Sequence, residues 1–123
     1  MVRRYLLDTN AVIALLQGAS VNKLLKDAEW IGISVITTLE FLAFPKLTVH
    51  DKKLFNKFLE RVEVIDLTSK DTSYLDLCIS LRKKYSLKLP DAIIAASAIS
   101  YDCCLVTNDH HFSGVGELVV KGW

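Results

Sequence analysis

An α/β fold, built as a three-layer α/β/α sandwich around a mostly parallel central sheet, is predicted by three features of the sequence. Short apolar runs of strand length alternate with longer segments whose apolar residues step at three and four. The runs are nearly continuous in apolar character, the pattern of strands covered on both faces. Residues that open helices follow directly, Thr9-Asn10 after one run and Thr37 after another.

Taken in order, residues 4–7 form the first strand, ending in Asp8-Thr9-Asn10. A helix from Ala11 to Gln17 follows, apolar on most faces as a core helix should be, and Gly18 ends it. Ser20 is placed to cap a short helix running to about Asp27. Ile31-Gly32-Ile33-Ser34-Val35-Ile36 reads as a buried strand, and Thr37 opens a helix that Pro45 stops. Between Asp51 and Glu60, Leu54, Phe55, Phe58 and Leu59 lie at helical spacing among lysines, and residues 62–66 form a third strand. From Asp71, the positions Tyr74, Leu77, Cys78, Leu81 and Tyr85 define an amphipathic helix. Pro90 opens an alanine-rich helix to about Tyr101, followed by strand Cys104-Leu105-Val106, a turn over 107–112 and a last strand at 118–120. Only Tyr85 to Leu89 join the two late helices, too few residues to climb the sheet, so the first of the pair is expected to lie across it.

The 123 residues are read as one domain, 1–123, with 51% hydrophobic residues to supply a core. A chain of this size buries roughly two thirds of its unfolded surface. A net charge of +1 excludes a global basic field, so any polyanion must be held locally. Cys78, Cys103 and Cys104 lack C-x-x-C spacing and read as small buried hydrophobes in a reducing compartment. Arg3 and Arg4 lead straight into a strand, so no signal peptide fits, and no apolar run reaches membrane length. A cytoplasmic protein without a membrane association is expected.

Four carboxylates stand out, each with a simple local explanation. Asp8 reads alone as an N-cap. Glu40 completes a capping box in Thr37-Thr38-Leu39-Glu40. Asp91 falls in the first turn of its helix, where the dipole favours a negative charge by roughly 0.3–1 kcal/mol. Asp109 suits a turn. These explanations do not predict that all four should reach the same place. Asp8, Glu40 and Asp109 each follow a strand end closely, and Asp91 starts a helix leading down into the fourth strand. The carboxyl ends of parallel strands gather at one edge, and ligands of such folds bind just outside it. Carboxylates converging there would repel unless a hard cation, Mg²⁺ or Mn²⁺, held them together, and such sites activate water.

Other chemistry is sparse. The sequence contains no G-x-G-x-x-G, P-loop, G-x-S-x-G or H-E-x-x-H motif. His110 and His111 are adjacent and read as exposed loop residues, either of which could touch a phosphate or a metal-held water. Lys46, Lys52, Lys53 and Lys57 are a solvated helix face or a backbone-holding patch, and Arg82-Lys83-Lys84 compensate a helix dipole. Two rival functions use the same carboxylates. A receiver-like phosphoacceptor would need a lysine after a late strand, where Thr107-Asn108-Asp109 stand instead. A non-catalytic interaction module would use the carboxylates only as caps.

Leu7-Asp8-Thr9-Asn10, Glu40 after a β-branched run, Leu89-Pro90-Asp91-Ala92, and Val106-Thr107-Asn108-Asp109 with Phe112 resemble the PIN-domain nucleases, in order and along essentially the whole chain. The likeness is greatest to the small VapC-type toxins of prokaryotic toxin–antitoxin pairs. The resemblance implies a Mg²⁺- or Mn²⁺-dependent endoribonuclease whose acidic site is Asp8, Glu40, Asp91 and Asp109. Asp8 and Asp91 would be the principal metal ligands, with Asn10, Thr107 and Asn108 as polar partners of the carboxylates. It further implies an RNA substrate, a cognate antitoxin that covers the site, and a homodimer; a housekeeping RNA-processing role is the alternative. Many members carry an acidic residue just before the phenylalanine, where this chain has His111.

Overall fold

The computed structural model describes residues 3–123, and the expectation on Met1-Val2 at the start of the chain lies outside them. Among the described residues, β1 (Arg4–Leu7), β2 (Trp30–Ser34), β3 (Glu63–Ile65), β4 (Cys104–Val106) and β5 (Val120–Lys121) form one sheet in the order β3-β2-β1-β4-β5. Every neighbouring pair is parallel, with Leu6 opposite Gly32 on one side and Leu105 on the other. The helices are α1 (Thr9–Leu16), α2 (Val21–Leu24), α3 (Val35–Leu42), α4 (Val49–Leu59), α5 (Thr72–Tyr85) and α6 (Leu89–Ser100).

The period-two alternation of strand side chains sorts the core into two halves. Tyr5 and Leu7 of β1 and Val106 of β4 face a cluster with Val12, Val21, Phe41, Phe55 and Phe58. Leu6 and Leu105 face the opposite way, into a cluster with Tyr74, Cys78, Leu81 and the alanines of α6. Helices therefore cover both faces, and the α/β/α sandwich is the observed architecture. Ala92, Ala95, Ala96 and Ala98 are all fully buried, which lets α6 lie close against the sheet. On the other face Phe41 and Phe55 stack with centroids 4.2 Å apart. No helix among the described residues is long and apolar enough to cross a membrane. The three cysteines are unpaired, and burial pushes the Cys103 thiol up to about 11, as suits an inert core residue.

Several boundaries differ from the sequence expectation, each for a local reason. Val35 and Ile36 belong to α3 rather than to the strand, because the Ser34 hydroxyl accepts from the Ile36 amide at 3.1 Å and turns the chain. A continuous apolar run fits a buried strand and a buried helix start equally well. Ser20 precedes α2 but makes no side-chain cap. Thr48 and Asp51 form a reciprocal capping box that starts α4 at Val49, ahead of the apolar pattern that begins at Leu54. The last strand sits slightly later than expected, at Val120–Lys121.

α5 and α6 form a helical hairpin: Ser86, in the left-handed region at φ 55, ends α5 just before Leu89, and the Tyr74 hydroxyl meets Ile93 O at 3.1 Å and Ser97 Oγ on α6. The chain returns along the sheet in residues 66–71, an irregular stretch whose reach is about 20 Å. This route places the amino end of α6, and so Asp91, at the carboxyl edge.

Candidate metal centre at the carboxyl edge of the sheet

A cleft of about 460 Å³ opens at that edge, lined by Asp8, Thr9, Asn10, Glu40, Asp91 and Asp109, with Phe44 and Phe112 among its apolar walls. Each carboxylate arrives on a different element. Asp8 continues the central strand, its amide donating to Val106 O at 3.2 Å, so its backbone is fixed by the β1–β4 ladder. Its side chain is 5% exposed. Oδ1 accepts from the Ala11 amide at 2.8 Å, which caps α1, and Oδ2 accepts from the Thr107 hydroxyl. One carboxylate thus both caps α1 and lines the cleft.

Glu40 is not part of a capping box. α3 begins at Val35, which puts Glu40 in the second turn of the helix, where its Oε1 accepts from Thr9 Oγ1 at 2.6 Å. Thr37 is wholly buried with its hydroxyl unpartnered, so it caps nothing. Asp91 lies in the first turn of α6, half-buried at the cleft floor. Asp109 caps the 3₁₀ turn His110–Phe112, its Oδ1 accepting from the His111 amide at 2.9 Å. The His111 ring returns to the same carboxylate, with Nδ1 2.9 Å from Oδ1. Ligand atoms of Asp91, Asp109 and His111 all lie within 4.8 Å of one another.

The polar residues divide. Thr107 serves as a hinge between two carboxylates: its hydroxyl donates to Asp8 and accepts from the Asp109 amide at 2.9 Å. Asn10 lines the cleft as an exposed amide, and Thr9, which the sequence reading left as a cap, holds Glu40 instead. Asn108, two residues past the end of β4, does not line the cleft. Its side chain brackets the chain end, accepting from Trp123 N at 3.0 Å and donating to Trp123 O at 3.4 Å. His111 is exposed, as expected; the D-x-H spacing, in which an aspartate caps the residue two ahead, is the signal that sets it beside Asp109.

Burial is the main reason that Asp8 holds its proton more tightly than an ordinary aspartate. The Thr107 and Ala11 hydrogen bonds oppose this, and the charges of Asp109 and Asp91 reinforce it. Asp91 is raised likewise, by burial first, then by Asp109 and Glu40, against a pull from His111 and Lys88. Carboxylates that line one cleft and repel one another there are a donor set suited to a divalent cation. The sign of the resulting pH dependence follows. A folded-state value above the unfolded one stabilises the protein fully below the unfolded value, and that stabilisation is lost as pH rises through the folded value. In chelator, therefore, the wild-type melting temperature should rise relative to Asp8→Asn as pH is lowered from about 7 to about 4.5. A difference between the two that does not vary with pH would show that the Asp8 carboxyl is not strained by its surroundings.

A family model described as the PIN domain matches residues 5–118. The chain belongs to the PIN domain family. Among solved structures, this PIN domain is similar to a chain of VapBC2 from Rickettsia felis bound to a promoter DNA fragment, at 30% identity, 98% of each chain covered and a TM-score of 0.76. It is equally similar to a chain of a toxin–antitoxin complex from Klebsiella pneumoniae, at 30% identity, 94% and 95% coverage and a TM-score of 0.78. VapBC-1 from nontypeable Haemophilus influenzae follows at 25% identity, 98% of each chain and 0.71. It is a PIN domain of the VapC type. A search of the curated proteins finds no match. The receiver-like alternative falls away: Lys121 sits in β5 with its ammonium over the Tyr5 ring, and lines a separate cleft with Arg3 and Cys103. The cap-only alternative accounts for one oxygen each of Asp8 and Asp109, and for neither Glu40 nor Asp91.

Proposed function

We propose that this chain, as one nuclease domain over residues 1–123, hydrolyses RNA phosphodiester bonds with Mg²⁺ or Mn²⁺, and is the toxin of a toxin–antitoxin pair acting in the cytoplasm. The observation that carries the proposal is the meeting of Asp8, Glu40, Asp91 and Asp109 in one cleft, from four separate elements, on a PIN domain. Asp8, Asp91 and Asp109 would hold the cation, with Glu40 beside them on the α3 wall. A divalent ion bound there supplies charge against the phosphate oxygens and a nucleophilic water.

The protein's own residues set the geometry of that chemistry. Thr107 ties Asp8 to the Asp109 loop, so the two carboxylates move as a unit. Thr9 keeps Glu40 turned into the cleft. Glu40, with its oxygen exposed to the cleft, is positioned to accept a proton from the attacking water. The opening between Phe44 and Phe112 would admit a single strand, with apolar faces beside the backbone for bases to rest on. An antitoxin segment covering the cleft and a second copy of the chain are the partners proposed, in line with the complexes to which the chain is similar.

Purified protein is expected to cut a structured RNA internally when Mg²⁺ or Mn²⁺ is added, and not with chelator present. Coexpression with the product of a small neighbouring gene should relieve growth arrest in cells. Metal-independent cleavage would remove the carboxylate cleft from the reaction, and cleavage without growth arrest would favour an RNA-processing role.

A further inference from the structure

We propose that His111 donates an imidazole nitrogen to the cation at Asp91 and Asp109, and so shifts the site's preference from Mg²⁺ toward Mn²⁺. The proposal rests on the metal-centre reading above and concerns which ion the centre selects.

Three observations converge on His111. Its ring is held against Asp109, a cleft-lining carboxylate, although the side chain is 70% exposed. Its Nδ1 lies 2.9 Å from Asp109 Oδ1. A ring nitrogen and a carboxylate oxygen side by side could both be offered to one ion. Finally, Asp91 completes a three-member group with ligand atoms inside 4.8 Å, without any movement of the backbone. The neighbouring His110 has no such relation; the 3₁₀ turn sends its carbonyl to Ser113 and leaves its ring exposed.

Ligand chemistry gives the consequence. Carboxylate oxygens suit Mg²⁺ and Mn²⁺ alike, whereas an imidazole nitrogen favours first-row transition ions over Mg²⁺, which holds to oxygen and to its water shell. A histidine at this position, in place of an acidic side chain, also lowers the site's negative charge by one. That weakens binding of a hard ion that depends on charge alone. Both effects work in the same direction.

Pulsed electron paramagnetic resonance on the chelator-stripped protein, reloaded with one equivalent of Mn²⁺, tests this directly. Nitrogen modulation characteristic of a bound imidazole is expected in the wild type and in His110→Ala, and is expected to vanish in His111→Ala and His111→Asp. Calorimetric titrations should give a Mn²⁺-to-Mg²⁺ affinity ratio that falls by roughly tenfold or more in His111→Asp. Mn²⁺ binding with no nitrogen modulation, or modulation that survives His111→Ala, would overturn the role of His111 and leave the carboxylate centre standing. Failure of the wild type to bind Mn²⁺ at all, or binding undiminished in Asp91→Asn, would overturn the centre itself and this inference with it. The exposure of His111 makes misfolding of its variants a poor explanation for any loss, and far-ultraviolet circular dichroism checks that point.

Discussion

Asp8→Asn should lose RNA cleavage by at least about a thousandfold, equivalent to about 4 kcal/mol of transition-state stabilisation, while folding normally. The substitution is close to isosteric. An asparagine keeps an oxygen for the Ala11 amide, so the cap of α1 survives, and its amide can donate to the Thr107 hydroxyl that the carboxylate had accepted from. What disappears is a buried negative charge with two like charges near it. In chelator at neutral pH the variant should therefore melt at or above the wild-type temperature. Single-turnover cleavage with thermal melts on the same samples decides the matter. Wild-type cleavage by the variant would exclude Asp8 as a metal ligand, whereas lost activity with a collapsed melting temperature would mean that the carboxylate serves the fold alone.

Divalent cation should stabilise the protein strongly. At a concentration one hundred times its dissociation constant, a ligand that binds only the folded state contributes about 2.7 kcal/mol. For a chain of this length, that corresponds to a rise of about 10 °C in melting temperature. The effect should be absent with a monovalent salt of equal ionic strength, and should fall sharply in Asp91→Asn. Asp91 makes no cap hydrogen bond, so its removal costs the helix only a weak dipole interaction. A melting temperature indifferent to Mg²⁺ and Mn²⁺ would return the carboxylates to a purely structural role.

Much of this architecture could be read from residue order. The apolar runs at 4–7, 31–34 and 104–106 are strands because nothing else buries both faces of so short a segment. Their parallel packing follows from the helices between them. The common edge of the four carboxylates then comes from topology, which is why four weak local signals made one strong one. Three things were not legible. The strand-to-helix junction at Ser34 was hidden because Val35 and Ile36 are apolar in either state, so the expected helix cap at Thr37 falls three residues after the true one. The hairpin of α5 and α6 depends on an irregular return over residues 66–71, which carries no periodicity to read. The fates of Asn108 and His111 depend on which way side chains turn within three residues of each other, and the Trp123 backbone that holds Asn108 lies far along the chain.

The pairing of β1 with β4 also has a consequence in time. Tyr5 lies opposite Cys104, and Asp8 meets Thr107 across a separation of 99 positions. At ordinary synthesis rates of about 5–20 residues per second, roughly 5–20 s pass between the making of one and of the other. Until then the first strand has no right-hand neighbour, Asp8 has no hydroxyl partner, and Asp109 does not yet exist. A PIN domain assembled this way cannot form its carboxylate cleft until nearly the whole of residues 5–109 has been made.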